Sequence, residues 1–121
     1  MCMKREKPST RAKDAVIVGY KWMYRRPEGY ESPLYRGERY QENKWCRATK
    51  REKGKNVQWG FYAYKTVKGA CRHGLSGLGV LVKVELKEVM AEGREIAYDD
   101  KGTISVVRAN KMRIIEEVPY K

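Results

Sequence analysis

The sequence predicts an α+β fold, a twisted and mostly antiparallel β-sheet with one short helix packed on a face. About seven short stretches are rich in β-branched and aromatic residues and are separated by turn residues, which is typical of such a sheet. Only one segment carries both the start and the stop signal of a helix. With 121 residues, the chain suits one domain, which we place at 15–121, behind a basic arm at 1–14 that we expect to be flexible.

The first strand is predicted at Ala15–Tyr24, where β-branched and aromatic residues dominate. Gly19 lies inside this strand and indicates a bulge or a close approach of another part of the backbone. Arg25–Pro33 contains two prolines and a glycine, so it is predicted to be a turn region. Leu34–Arg36 follows as a short strand that ends at a glycine.

A charged hairpin is predicted in the middle of the chain. Lys44–Thr49 and Gln58–Tyr64 form its two strands in this interpretation. Lys50–Asn56, with the sequence KREKGKN, forms its tip, because a glycine within a charged run favours a turn.

The single helix is predicted at Val67–His73. Thr66 has a side chain suited to an N-cap, and Gly74 is a residue at which helices stop. Gly69 lies inside the segment and lowers its intrinsic helix propensity.

Two strands and a hairpin are predicted after the helix. In Gly79–Glu88, apolar residues at positions 80, 82, 84 and 86 alternate with mostly charged ones, so one face of the strand points to the core. Arg94–Tyr98 and Thr103–Arg108 form a hairpin across Asp99–Gly102. Met112–Val118 closes the sheet.

The charge of the chain is uneven and points to a polyanionic partner. Its net charge is +12, of which +9 falls in residues 1–60 and +3 in residues 61–121. The alternative is a basic protein whose charge serves only solubility. No apolar run is long enough to cross a bilayer and the N-terminus lacks the apolar region of a signal peptide, so we expect a cytoplasmic location.

The sequence offers few residues from which a catalytic or metal-binding site could be built. His73 is the only histidine, and Cys2, Cys46 and Cys71 are scattered, which predicts three free thiols, no metal site and no cofactor. A glycine-rich stretch at 74–79 follows a helix and precedes a strand, the reverse of the order in phosphate-binding loops. Carboxylates in the second half could form a general-acid pair or a metal site, but such residues more often cap turns and offset lysines.

Two basic clusters are interleaved with aromatic residues such as Trp22 and Trp45, and they define the candidate nucleic-acid interface. On a strand the cations can face solvent while alternate aromatics face the core, which favours phosphate contacts over base stacking. The cations of this predicted interface are Lys21, Arg25, Arg26, Arg36, Arg39, Lys44, Arg47, Lys50, Arg51, Lys53 and Lys55.

Most of the chain resembles small accessory proteins of bacteriophages and prophages. The resemblance is carried by GYK at 19–21, LYRG at 34–37, WCRA at 45–48, GFYAYKT at 60–66, VLVKV at 80–84, AEG at 91–93 and VRA at 107–109. It implies a phage-type accessory protein without a known active site. Such a protein often blunts host defence, CRISPR systems included, by binding guide RNA, DNA or a nucleoprotein complex.

A second, weaker resemblance is to ADP-ribosyltransferase folds. The sequence YRG at 35–37 is similar to their first motif, in which an arginine, here Arg36, contacts NAD. GFY at 60–62 is similar to the second motif, and Glu95 is the candidate for the catalytic glutamate. The Glu-x-Glu form of the third motif is absent. Three functions are therefore weighed: nucleic-acid binding, an NAD-dependent enzyme or its inactive relative, and binding of an acidic host protein.

Overall fold

A computed structural model describes residues 7–32, 39–48, 60–72, 79–97 and 102–119. Every pairing between its strands is antiparallel, and the described residues form one helix of five residues. The predicted class, a mostly antiparallel sheet with one short helix, is therefore confirmed. The elements are β1 (Lys7–Pro8), β2 (Ile17–Arg26), β3 (Gly29–Glu31), β4 (Cys46–Arg47), β5 (Phe61–Tyr64), α1 (Val67–Cys71), β6 (Val80–Ile96) and β7 (Thr103–Glu117).

The β6–β7 hairpin is the centre of the sheet and is much longer than predicted. The strands predicted at Gly79–Glu88 and Arg94–Tyr98 both overlap β6, which pairs with β7 from Val82 to Ile96. The intervening residues Val89–Gly93 continue the pairing although their sequence has few strand-forming residues, because β7 supplies a continuous partner. The predicted pairing of the two hairpin strands is confirmed, since Arg94 lies opposite Ser105 and the Ala97 N–H donates to the Gly102 carbonyl at 3.2 Å. Residues 98–101 of the predicted hairpin lie outside the described residues.

Four strands close into a ring of pairings. β6 pairs with β2 on one side and β7 on the other, β7 pairs with β5, and β5 returns to β2 through the Tyr20–Tyr64 bridge. The ring is narrow at Gly19, where a Cβ atom would lie 3.0 Å from the Cβ of Ala63 and 3.2 Å from the Cδ1 of Leu86. The close backbone approach predicted for this glycine is confirmed by the Tyr64 carbonyl oxygen, which would lie 3.3 Å from that Cβ atom.

The predicted central hairpin is wrong in its pairing. β4 and β5 both pair with the same edge of β7, β4 through Cys46–Met112 and β5 through Phe61–Ala109. They lie end to end because β7 is long enough to pair with both. Ala48 and Gly60 accordingly lie beside neighbouring residues of β7, Asn110 and Ala109. The predicted tip at 50–56 and the predicted strand at 34–36 lie outside the described residues.

Apolar side chains are buried both inside the ring and on the part of its outer surface beneath α1. The interior is filled by fully buried side chains, among them Met23, Val82, Val84 and Met112. Neighbouring residues point outward, because strand side chains alternate, and Trp22 and Leu81 form a second cluster beneath α1.

The helix is placed by its cap and by one tryptophan. The Thr66 hydroxyl accepts from the Gly69 N–H at 2.9 Å, so the predicted N-cap is confirmed. The Trp22 indole N–H donates to the Ala70 carbonyl at 2.8 Å. The helix ends at Cys71, two residues earlier than predicted. Gly69 is required there, since a Cβ would lie 2.7 Å from the Cγ2 of Ile104.

The predicted arm is held against the sheet from Lys7 onward. β1 pairs with Ala91 and Glu92 of β6, and Arg11 makes two hydrogen bonds, of 2.9 and 3.1 Å, to the Glu92 carboxylate. Within the described residues, Cys46 and Cys71 form no disulfide, whereas Cys2 lies outside these residues. Within the described ranges, no helix has the length and apolar character needed to span a membrane.

We expect Val82→Asp to abolish soluble expression, because the side chain is fully buried and an unpaired carboxylate there would have no partner. Val18→Asp is the matched control, since Val18 lies on the neighbouring strand β2 and is 41% exposed. Expression yield and thermal unfolding compare the two. A normal thermal transition in Val82→Asp would show that the Val82 side chain does not belong to the core.

Candidate nucleic-acid interface

The open part of the outer sheet surface carries a band of charged side chains. On β6, Lys83, Glu85 and Lys87 alternate with the buried core residues and point away from the ring interior. Arg113 and Lys111 of β7 lie directly opposite Glu85 and Lys87, so they share this surface. The helix covers β2, β5 and β7 elsewhere, and the described residues place no element over this band.

A tryptophan on the far side of β7 joins this band. The Lys87 Nζ lies 4.3 Å from the centre of the Trp45 ring, and the Arg113 Cζ lies 4.9 Å from it, both within cation–π range. Arg47 on β4 lies opposite Lys111. We call this surface the basic face, and its members are Trp45, Arg47, Lys83, Glu85, Lys87, Glu88, Lys111, Arg113 and Glu116.

The carboxylates of the basic face neutralise its cations only in part. Arg113 donates to Glu85 at 3.1 Å through its Nε. Glu88 is shared between Arg47, at 3.4 Å, and Lys111, at 3.1 Å. Five cations face three carboxylates, so the net charge of the surface is positive. The Arg47–Glu88 pair is exposed, and such pairs contribute about 0 to 1 kcal/mol each, so a polyanion can exchange with this pair.

Glu88 has an unusual backbone conformation for a strand residue. Its φ of +53° is in the left-handed region, which non-glycine residues seldom adopt. Its N–H donates to the Lys13 carbonyl at 3.2 Å, at the point where β6 changes partner from β2 to β1. The side chain reaches the basic face beside Lys87 as a result. Lys111 and then Arg47 hold the pKa of the Glu88 carboxyl below its usual value.

The most basic run of the sequence begins at the edge of the basic face. Arg47 is followed by Ala48, whose N–H donates to the Asn110 carbonyl at 2.7 Å, and the chain then enters segment 49–59. The predicted site residues of this segment lie outside the described residues, as does Arg36; they are Lys50, Arg51, Lys53 and Lys55. These four cations follow Arg47 within eight residues of the sequence.

Among the predicted site residues, Lys21 is in a different setting. Its amine donates to the Tyr62 carbonyl at 2.5 Å, across the gap between β2 and β5. Burial lowers the pKa of this amine to about 8. Lys21 is therefore a structural bridge in the ring, and its side chain is not presented to a partner.

The other predicted arginines form a second charged group around the β2–β3 hairpin. Arg26 and Arg39 both contact the buried carboxylate of Glu31, at 3.1 and 2.6 Å. Arg25 makes an ion pair with Glu117. A cleft of about 400 Å³ opens beside this group. Lys44 is exposed.

The sequence prediction placed the interface entirely in the first half of the chain and missed part of the basic face. Lys87, Lys111 and Arg113 come from the second half and meet Arg47 only through the pairing of β7 with β4 and β6. The alternation of charged residues along β6 and β7 was the available signal. It identifies a solvent-facing side but cannot show which strands are neighbours.

The residues similar to an ADP-ribosyltransferase site are only partly brought together. The Tyr62 hydroxyl donates to Glu95, whose relative exposure is 5%. Burial, followed by the charge of Glu95, raises the pKa of the nearby Tyr64. A catalytic glutamate must reach its substrate, and this one is enclosed. Arg36 lies outside the described residues.

The chain matches no protein-family model, and comparisons with curated proteins and with solved structures give no significant match. Within the described ranges, no group of three or more histidine, cysteine, aspartate or glutamate side chains is arranged to hold a metal ion. The basic face therefore stands on its own geometry and charge.

We expect the parent protein to gain stability relative to Lys21→Met as the pH rises from 8 to 10. Above pH 8 the folded chain has begun to lose the Lys21 proton, whereas the unfolded chain keeps it until about pH 10.4, so stability increases in that window. The slope approaches roughly 1.4 kcal/mol per pH unit, a gain of about 2 kcal/mol. Urea midpoints of both proteins at each pH measure it, and equal pH dependence would contradict the buried amine.

We expect no NAD-dependent labelling by this chain, because the Glu95 carboxylate is enclosed and engaged by Tyr62. The measurement is incubation of the protein with labelled NAD and a bacterial lysate, with a known transferase as the positive control. Labelling that is robust in the parent and lost in Glu95→Ala would establish an enzyme instead.

Proposed function

We propose that this chain binds nucleic acid, free or within a nucleoprotein complex, through the basic face and the basic segment that continues from it. The observation that carries the proposal is the arrangement around Trp45, where Lys87 and Arg113 lie over one indole ring beside the Arg47–Lys111 pair. Cations at fixed spacing on a rigid sheet suit a repeating phosphate backbone.

The contacts favour the phosphate backbone over the bases. Trp45 is half-buried, and its ring is already engaged by two cations, so its main effect is to hold those cations at the surface. Of the eight other members of the face, five are lysines and arginines, which meet phosphates without reading sequence. Binding with little sequence preference follows.

The resemblance to phage accessory proteins supplies the biological setting of the proposal. A small basic phage protein that covers guide RNA, DNA or a nucleic-acid channel would act as an anti-defence factor in the host cytoplasm. Binding of an acidic host protein is the competing proposal. A pull-down from bacterial lysate with and without nuclease separates the two, because only a nucleic-acid-mediated complex is lost on digestion.

Oligonucleotide binding tests the interface directly. We expect the parent to bind single- and double-stranded oligonucleotides at micromolar concentration or tighter in low salt. Log affinity should fall with log salt by about 0.9 per phosphate neutralised on duplex DNA and about 0.7 on single strands. Changing Lys50, Arg51, Lys53 and Lys55 to serine should weaken binding and flatten this slope while leaving the melting temperature almost unchanged, because none of these side chains is needed for the described core.

A charge-matched pair of variants locates the binding surface. Arg47→Ser/Lys87→Ser removes two cations from the basic face, whereas Lys68→Ser/Arg94→Ser removes two exposed cations, one on α1 and one on distal β6. The net charge falls equally in both. Stronger weakening in the first variant supports the basic face, and equal weakening would mean that only total charge matters.

A further inference from the structure

We propose that Arg47 and Lys111 form a phosphate subsite that the Glu88 carboxylate fills when nucleic acid is not bound. This inference rests on the proposed function, because it assigns one phosphate position within that interface and the group that competes for it. Glu88 then acts as a built-in competitor that sets the affinity and the salt dependence of binding.

The arrangement of the three side chains is that of an anion site. The two terminal nitrogens of Arg47 face the two oxygens of Glu88, each at 3.4 Å, in the fork-to-fork orientation with which arginine binds carboxylates and phosphates. The Lys111 Nζ approaches one of the same oxygens at 3.1 Å. A guanidinium and an ammonium that converge on one anionic group suit a phosphate as well as a carboxylate.

The competitor is held loosely enough to be displaced. The Arg47–Glu88 distances are long for a charge-assisted pair, which normally has N–O distances of about 2.7 to 2.9 Å. The Arg47 side chain is 59% exposed, so an incoming phosphate reaches its guanidinium without any movement of the sheet.

The backbone at Glu88 gives independent support. A left-handed glutamate in the middle of a long strand is strained, and such outliers are more frequent at functional sites than elsewhere. The consequence of this strain is that two successive side chains, Lys87 and Glu88, both reach the basic face. A regular strand would point the carboxylate away from Arg47 and Lys111.

Neutralising Glu88 is the experiment. We expect Glu88→Gln to bind a fluorescent 12-nucleotide oligo(dT) up to about fivefold more tightly than the parent at low salt, the factor that an exposed ion pair is worth. The salt slope should steepen by up to about 0.7, because the released cations now neutralise a further phosphate. Adding Arg47→Ser to Glu88→Gln should remove this gain.

Glu92→Gln is the matched control, since Glu92 is also shared between two cations, Arg11 and Lys65, and the net charge rises equally. Glu88→Asn keeps a residue type that tolerates the left-handed backbone and should reproduce the gain if Glu88→Gln folds poorly. If the parent binds and Glu88→Gln is no tighter than Glu92→Gln, the subsite is wrong but the proposed function stands. If neither the parent nor the Glu88 variants bind, both are wrong.

Discussion

The pairing of β6 with β7 is the constraint on which the rest of the molecule depends. The two strands stay in register contact over almost their whole lengths, but the register shifts at two places, between Lys83 and Val84 and between Val89 and Ala91. Irregularities of this kind bend a sheet and increase its twist. The bent ribbon can then meet β2 along one edge and β4 and β5 along the other. The ring closes between β2 and β5 through the single residue pair Tyr20–Tyr64. The Lys21 amine adds a second link between these strands, because it donates to the Tyr62 carbonyl.

Closure decides which outer surface is covered and which is open. The ring interior takes the alternate apolar residues of all four strands, so their neighbours must point outward. Near Leu81 and Trp22 those neighbours are apolar, and α1 packs on them. Further along β6 they are charged, and no described element packs there. The basic face is therefore the part of the outer surface where the side chains are mostly charged, so they can stay in contact with solvent.

Local signals predicted the elements well and their partners poorly. Thr66, the alternation around Val82 and the close approach at Gly19 all depend on neighbours in sequence or on a simple steric rule. The central hairpin failed because two consecutive strands were assumed to pair with each other, whereas β7 pairs with both. The same non-local pairing brings Lys111 and Arg113 to Arg47, which is why the candidate surface could be only half predicted. Periodicity shows which side of a strand faces solvent, but the choice of neighbouring strands is made by the whole sheet.

A recurring arrangement explains how so basic a chain holds its charge. Three carboxylates are each shared by two cations: Glu31 by Arg26 and Arg39, Glu92 by Arg11 and Lys65, and Glu88 by Arg47 and Lys111. Each group keeps one positive charge, so self-repulsion is reduced while attraction for a polyanion remains.

The three groups differ in how firmly the carboxylate is held. Glu31 is buried, and Arg11, followed by Lys65, lowers the pKa of Glu92 to about 2. These two carboxylates therefore tie the β2–β3 hairpin and the N-terminal arm in place. The Glu88 group has the longest contacts and the most exposed arginine of the three. An arrangement that serves structure at two positions is thus weak enough to exchange with a ligand at the third, which is the one beside Trp45.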